Sequence, residues 1–70
     1  MEKHKELIEI IHRIGHDMQI PFMIHRKIAW ILTSTVKDID PDAIIKIIRS
    51  KFSRKIDYYV DSVGDICLII

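Results

Sequence analysis

The 70-residue chain has no asparagine, one glutamine and one cysteine. A lone Cys67 forms no internal disulfide, which excludes the disulfide-stapled class of small secreted scaffold and fits a reducing, intracellular setting. The scarcity of thermolabile amides beside plentiful isoleucine and lysine fits a thermophilic source. Glycine occurs only at Gly15 and Gly64, so there is no glycine-rich phosphate loop. The apolar runs AWIL, AII and CLII fall far short of the ~20 residues of a membrane span, and the charged start MEKHKELIE is not a signal peptide. These absences lead to the expectation of a soluble cytoplasmic protein with no membrane association. Nor is there a strong charge of one sign, since the net charge is +1.

Catalytic signatures are also missing. The chain has no nucleophile elbow, no HExxH and no CxxC, and Cys67 lies between isoleucine and leucine as a small core residue does. The expectation is a non-enzyme with no cofactor and no catalytic residue. His12 and His16 stand at i, i+4, with His4, Asp17 or His25 available to complete a site. Without a supporting ligand motif they read as exposed histidines, and no metal is expected.

What the chain does have is apolar mass: 49% hydrophobic residues, seventeen of the seventy being isoleucine. A chain this short buries only about 60% of its unfolded surface, so its core is dense or shared with a partner. Charge is unevenly spread. Residues 1–20 carry three Lys/Arg against four Asp/Glu, residues 21–56 eight against three, and residues 57–70 only three aspartates. The basic middle is sharpest in DIDPDAIIKIIRSKFSRK, residues 38–55, which opens on three aspartates and closes on five cations.

Periodicity divides the chain into elements. Leu7, Ile10, Ile11 and Ile14 form the stripe of a first helix that runs to about Ile14, with Gly15 as its C-cap. From Pro21 a second helix is expected, with Ile24, Ile28, Ile31 and Leu32 on one side, fading near Thr35. Asp40 as N-cap, Pro41 in the first turn and Asp42 at the dipole's positive end start a third helix, buried along Ile44, Ile45, Ile48 and Phe52. After Ser53 the pattern alternates: Ile56, Tyr58 and Val60 against Asp57 and Tyr59, then the turn residues DSVGD and a second strand, ICLII. The expected fold class is α+β, mainly α, one domain over residues 1–70, with three helices followed by a C-terminal β-hairpin. Its expected core is Leu7, Ile11, Ile14, Ile28, Ile31, Ile44, Ile48, Phe52, Tyr58, Val60 and Leu68. No sequence repeat is visible.

This order of elements resembles the winged-helix superfamily, a helix-turn-helix variant, with QIPF as the short first strand, MIHRKIAWIL as the second helix, PDAIIKIIRSKF as the recognition helix and KIDYYVDSVGDICLII as the wing. The resemblance lies in architecture, and the connection TSTVKDID is longer than the usual turn. It implies a DNA-binding transcriptional regulator, acting as a dimer, whose third helix (about 41–53) enters the major groove. The helical wheel places Lys46, Arg49, Ser50 and Ser53 opposite the isoleucine stripe, where Arg49 can read guanine, Lys46 a base or phosphate, and the serines phosphate oxygens. Arg54 and Lys55 can neutralise phosphates just beyond the helix. Double-stranded DNA is thus the expected partner, although Asp57, Asp61 and Asp65 would repel phosphate from the wing.

A second reading uses other residues. Met23, Arg26 and Trp30, types enriched in interfaces, form a candidate partner-binding or self-association patch. Cys67 and Ile69 project opposite to Leu68 and Ile70, so the last strand is apolar on both faces. In this reading the chain is a protein–protein interaction module, or a small subunit of a larger complex, that uses the Met23/Trp30 patch and the C-terminal hairpin. A third possibility, single-strand binding through Tyr58 and Tyr59, is limited because only one of two adjacent strand residues faces outward.

Overall fold

The computed structural model of the chain describes residues 2–70, with side chains from residue 5 onward. Helix α1 (Glu2–Met18) leads into strands β1 (Phe22–His25) and β2 (Ile28–Ile31). A 3₁₀ turn (Thr33–Thr35) precedes helix α2 (Pro41–Lys51), and strands β3 (Asp57–Val60) and β4 (Ile66–Ile69) follow. All strand pairs are antiparallel, in the order β1-β2-β4-β3. The fold is α+β with two helices and one four-stranded sheet. It corrects the expectation of three helices with an appended hairpin: among the described residues, 22–31 form two strands where the first helix of a helix-turn-helix was expected.

The error lies in residues 22–31. Ile24, Ile28 and Ile31 have helical spacing, but Phe22-Met23-Ile24-His25 and Ile28-Ala29-Trp30-Ile31 are rich in the β-branched and aromatic residues that fit a pleated surface. Arg26 and Lys27 make a two-residue turn between them. Arg26 has φ +58, as a tight hairpin turn requires at its first central position, a place where glycine is usual. The ladder runs past both ends of β2, with the Leu32 amide donating to the Pro21 carbonyl and the Ile70 amide to the Lys27 carbonyl. Pro21 thus precedes a strand instead of opening a helix.

The first helix also runs further than expected. It passes through Gly15 to Met18, and the left-handed residue that ends it is Gln19, φ +54. The Ile20 amide then donates to the Gly15 carbonyl at 2.9 Å, the closing bond of a Schellman motif. Gly15 serves packing instead of capping. A Cβ on it would overlap the Phe22 ring, so glycine here lets β1 dock against the helix. Helix α2 begins as its sequence suggests, with the Asp40 carboxylate accepting from the Asp42 amide at 3.1 Å and Pro41 in the first turn.

Both helices cover one face of the sheet. Leu7, Ile11 and Ile14 from α1 and Ile44, Ile45 and Ile48 from α2 bury against Ala29, Ile31, Ile66 and Leu68, with Phe52 and Ile20 completing the core. Strand parity moves Ile28 out of the expected core to the opposite face, and Val60, on an edge strand, is also exposed. The topology repeats α-β-β, each half a helix followed by its own hairpin, and the second strands of the two halves meet at the sheet centre. One α-β-β unit and a two-fold axis normal to the sheet would generate this order, although the halves share no visible sequence repeat. The loop after β2 is tied to the β3–β4 turn: the buried Thr33 hydroxyl donates to the Gly64 carbonyl, and the Ser34 amide to the Asp65 carboxylate. Among the described residues no helix is long and apolar enough to cross a membrane.

Replacing Gly15 tests the docking of β1. Gly15→Ala gains roughly 1 kcal/mol of helix propensity but forces the Phe22 ring aside, an overpacking that costs about 1–3 kcal/mol. The expected outcome is net destabilisation, read as a lower urea midpoint than that of the unaltered chain.

Candidate functional site

Residues alternate across a strand, so the side chains not turned to the helices form a second face. The pairing register sorts them into rows. Met23 lies opposite Trp30, Trp30 opposite Cys67 and Cys67 opposite Tyr59, one row across all four strands. The next outward row is His25, Ile28, Ile69 and Asp57. The face is apolar in the middle, with polar groups at the two ends of the second row and the Tyr59 phenol at one end of the first. Its exposure is large for such residues, with Met23 at 57%, Tyr59 at 53% and Ile69 at 42%. Trp30 is half-buried between its neighbours, and Cys67, the smallest member, is covered by them.

Two of the three residues expected to form a partner patch are thus brought together, by strand pairing and not along a helix. Met23 and Trp30 are cross-strand partners, while Arg26 sits in the hairpin turn below them. Tyr59, Ile28 and Ile69 belong to the same surface. Ile28 was hidden from sequence reasoning by its assignment to a buried helix stripe. The parity of Cys67 and Ile69 was legible in ICLII.

Tyr59 and Cys67 are cross-strand partners. The Tyr59 phenol is held above its ordinary range, first by its hydrogen bond to the Cys67 sulfur, then by repulsion between the two groups once ionised, with burial and the Asp61 carboxylate adding to it. Asp61 also holds the β3–β4 turn. The Asp61 carboxylate accepts from the Val63 and Asp65 amides at 3.1 and 2.9 Å, and Gly64 takes the left-handed conformation, φ +95, that the turn needs.

The residues expected to meet nucleic acid divide into two groups. Arg49, Ser53, Arg54 and Lys55 line one shallow depression with Phe52 and Ile56 where α2 ends. Arg49 also lies over the Tyr58 ring, 5.5 Å from its centroid, in cation–π contact. Lys46 and Ser50 stand apart on the exposed side of α2, and the Ser50 hydroxyl donates to the Ile47 carbonyl of its own helix at 2.7 Å. Of the histidines, His12 packs edge-on against Phe22, with ring centroids 4.8 Å apart, and His16 contacts Asp17 at 3.4 Å. The side chain of His4 lies outside the described residues. Among the described residues no three His, Cys, Asp or Glu side chains gather as metal ligands would.

No protein-family model, curated protein or solved structure matches this chain.

The Tyr59–Cys67 contact has a signature in solution. The fold favours the neutral phenol, so its contribution to stability is complete below the phenol's unfolded-state pKa and is lost as pH rises through the higher folded value. Titration by phenolate absorbance is expected to show one of the two tyrosines ionising late. Cys67→Ala is expected to bring it back towards the ordinary range.

Proposed function

We propose that the chain is a protein-interaction module that works through the outer face of its sheet. The observation that carries this reading is the row of Met23, Trp30, Cys67 and Tyr59 across all four strands, on the face that neither helix covers. An open antiparallel sheet ordinarily alternates apolar inside with polar outside. Here the outside is apolar too, and contiguous apolar patches of that kind mark interaction sites. Trp30 has the character of an anchor, a large indole at the centre of the patch and ringed by neighbours. The exposed sulfur of Met23 adds an adaptable contact.

Trp30 is the only tryptophan, so its emission reports on this face. When a partner covers the face, the emission is expected to shift to the blue. Truncating a central aromatic of this kind typically costs 2 kcal/mol or more of binding, about thirtyfold in affinity. Met23→Lys is expected to weaken association while leaving the unfolding midpoint nearly unchanged, and Trp30→Ala to weaken association with some loss of stability, because the half-buried indole also packs on its strand neighbours. Emission typical of a half-exposed indole under all conditions, with no partner bound, counts against the reading.

The convergence of Arg49, Ser53, Arg54 and Lys55 on one depression favours a second reading, contact with the phosphates of double-stranded DNA. In this reading cations at the end of α2 neutralise backbone charge, and sequence is not read by a helix-turn-helix. The affinity for labelled duplex DNA, measured by anisotropy, is then expected to fall with salt, with a log–log slope of about −0.9 per phosphate neutralised. Arg54→Glu/Lys55→Glu removes most of the binding and Lys46→Glu only a little. No binding at low salt removes this reading and leaves the first intact.

A further inference from the structure

We infer that the partner on the outer face is a second copy of this chain, stacked sheet against sheet about a two-fold axis that runs along the strand direction. This deepens the reading of that face as an interaction surface and rests on it. The argument is that the face complements its own reverse. A two-fold axis parallel to the strands turns each row end for end on the opposing sheet, so the first member of a row meets the last.

In the first row this rotation sets Met23 against the second copy's Tyr59, and thioether sulfur on an aromatic ring is a favourable contact. It sets Trp30, the largest side chain of the face, against the second copy's Cys67, the smallest. In the second row Ile28 meets Ile69, and His25 meets Asp57, so an imidazole that donates N–H in either protonation state faces a carboxylate at both ends of the interface. His25 and Asp57, the charged or basic positions of the face, are then paired with each other and the apolar ones covered. Stacked sheets cross at about −30°, which displaces the ends of these short rows by roughly 4 Å, within side-chain reach. A sheet of four strands, each of four residues, offers roughly 15–20 Å by 13 Å, less than the ~800 Å² per partner of a standard stable interface. The dimer is accordingly one that dissociates on dilution, and its assembly is a four-layer stack of helices, two sheets and helices.

Charge exchange at the row ends tests this specifically, because an isologous contact places residue 25 of each copy against residue 57 of the other. The mass of the whole chain is followed by sedimentation equilibrium over a concentration series, with Trp30 emission in parallel. Thermal unfolding is used to verify that each variant is folded. His25→Glu and Asp57→Lys each set like or unpaired charges together and are expected to weaken the dimer about tenfold or more. The double variant is expected to regain most of that loss. Mixing the two single variants is expected to give a heterodimer tighter than either homodimer, since one of its row ends then joins opposite charges and the other keeps the original imidazole–carboxylate pair.

Dimers that ignore both substitutions, with no recovery in the mixture, overturn the inference. A chain that stays monomeric at millimolar concentration also overturns it. In that case a Trp30 emission shift on addition of cell extract, abolished by Met23→Lys, leaves the interaction surface standing with a different occupant. Monomer with no such shift removes the surface as well.

Discussion

The pairing of β2 with β4 joins the two halves of the chain, Ala29 to Leu68 and Ile31 to Ile66, and neither half has a core without it. A two-stranded hairpin alone is marginal in water, and a single helix laid on two short strands leaves most of its apolar stripe wet. When the central strands pair, four small or branched side chains form a continuous floor. The stripes of both helices, Leu7, Ile11 and Ile14 and then Ile44, Ile45 and Ile48, bury on it together. The entropy of closing the long intervening loop grows only slowly with its length. Thr33 and Ser34 then bind that loop to the turn between β3 and β4. The dense isoleucine content reflects this geometry, since a chain so short succeeds only if nearly every inward position is filled.

The same pairing determines what faces outward. Strand parity leaves no freedom: once Ala29, Ile31, Ile66 and Leu68 turn to the helices, Ile28, Trp30, Cys67 and Ile69 must turn away from them. Their apolar character is therefore not required by the core. The inner face alone supplies the cluster on which both helices pack, and the proposed function gives the apolar outer row a reason of its own, which is why that surface and not the basic end of α2 carries the functional reading. A solvated helix end rich in Lys and Arg is explained by the helix dipole alone.

The parts of this structure legible in the sequence are those whose chemistry is local. The Asp40-Pro41-Asp42 start of α2 and the Asp61 to Asp65 turn both use side chains that bond the nearby backbone, and both are plain in the text of the chain. The hairpin of β1 and β2 was not legible for two reasons. Its turn uses Arg26 at positive φ where Asn or Gly would have signalled it, and its isoleucines fall by coincidence at helical intervals. Gly15 misled in the opposite sense, since its role is set by the Phe22 ring across the core and by nothing adjacent in sequence. The candidate surface was half visible. Met23 and Trp30 stood out by residue type, but Tyr59, Ile28 and the His25 and Asp57 row ends join them only through a register that no single segment encodes.

A sheet with helices on one side has one open face, and this limits how the protein can assemble. Once that face is covered, a copy has no second equivalent surface to offer, so stacking ends at a closed pair and cannot propagate. Growth into filaments would have to use the outer edges, where β1 and β3 expose backbone groups over only four residues each, the short length by which natural sheets discourage edge-to-edge addition. The architecture therefore permits an apolar surface of this size without the risk of open-ended polymerisation.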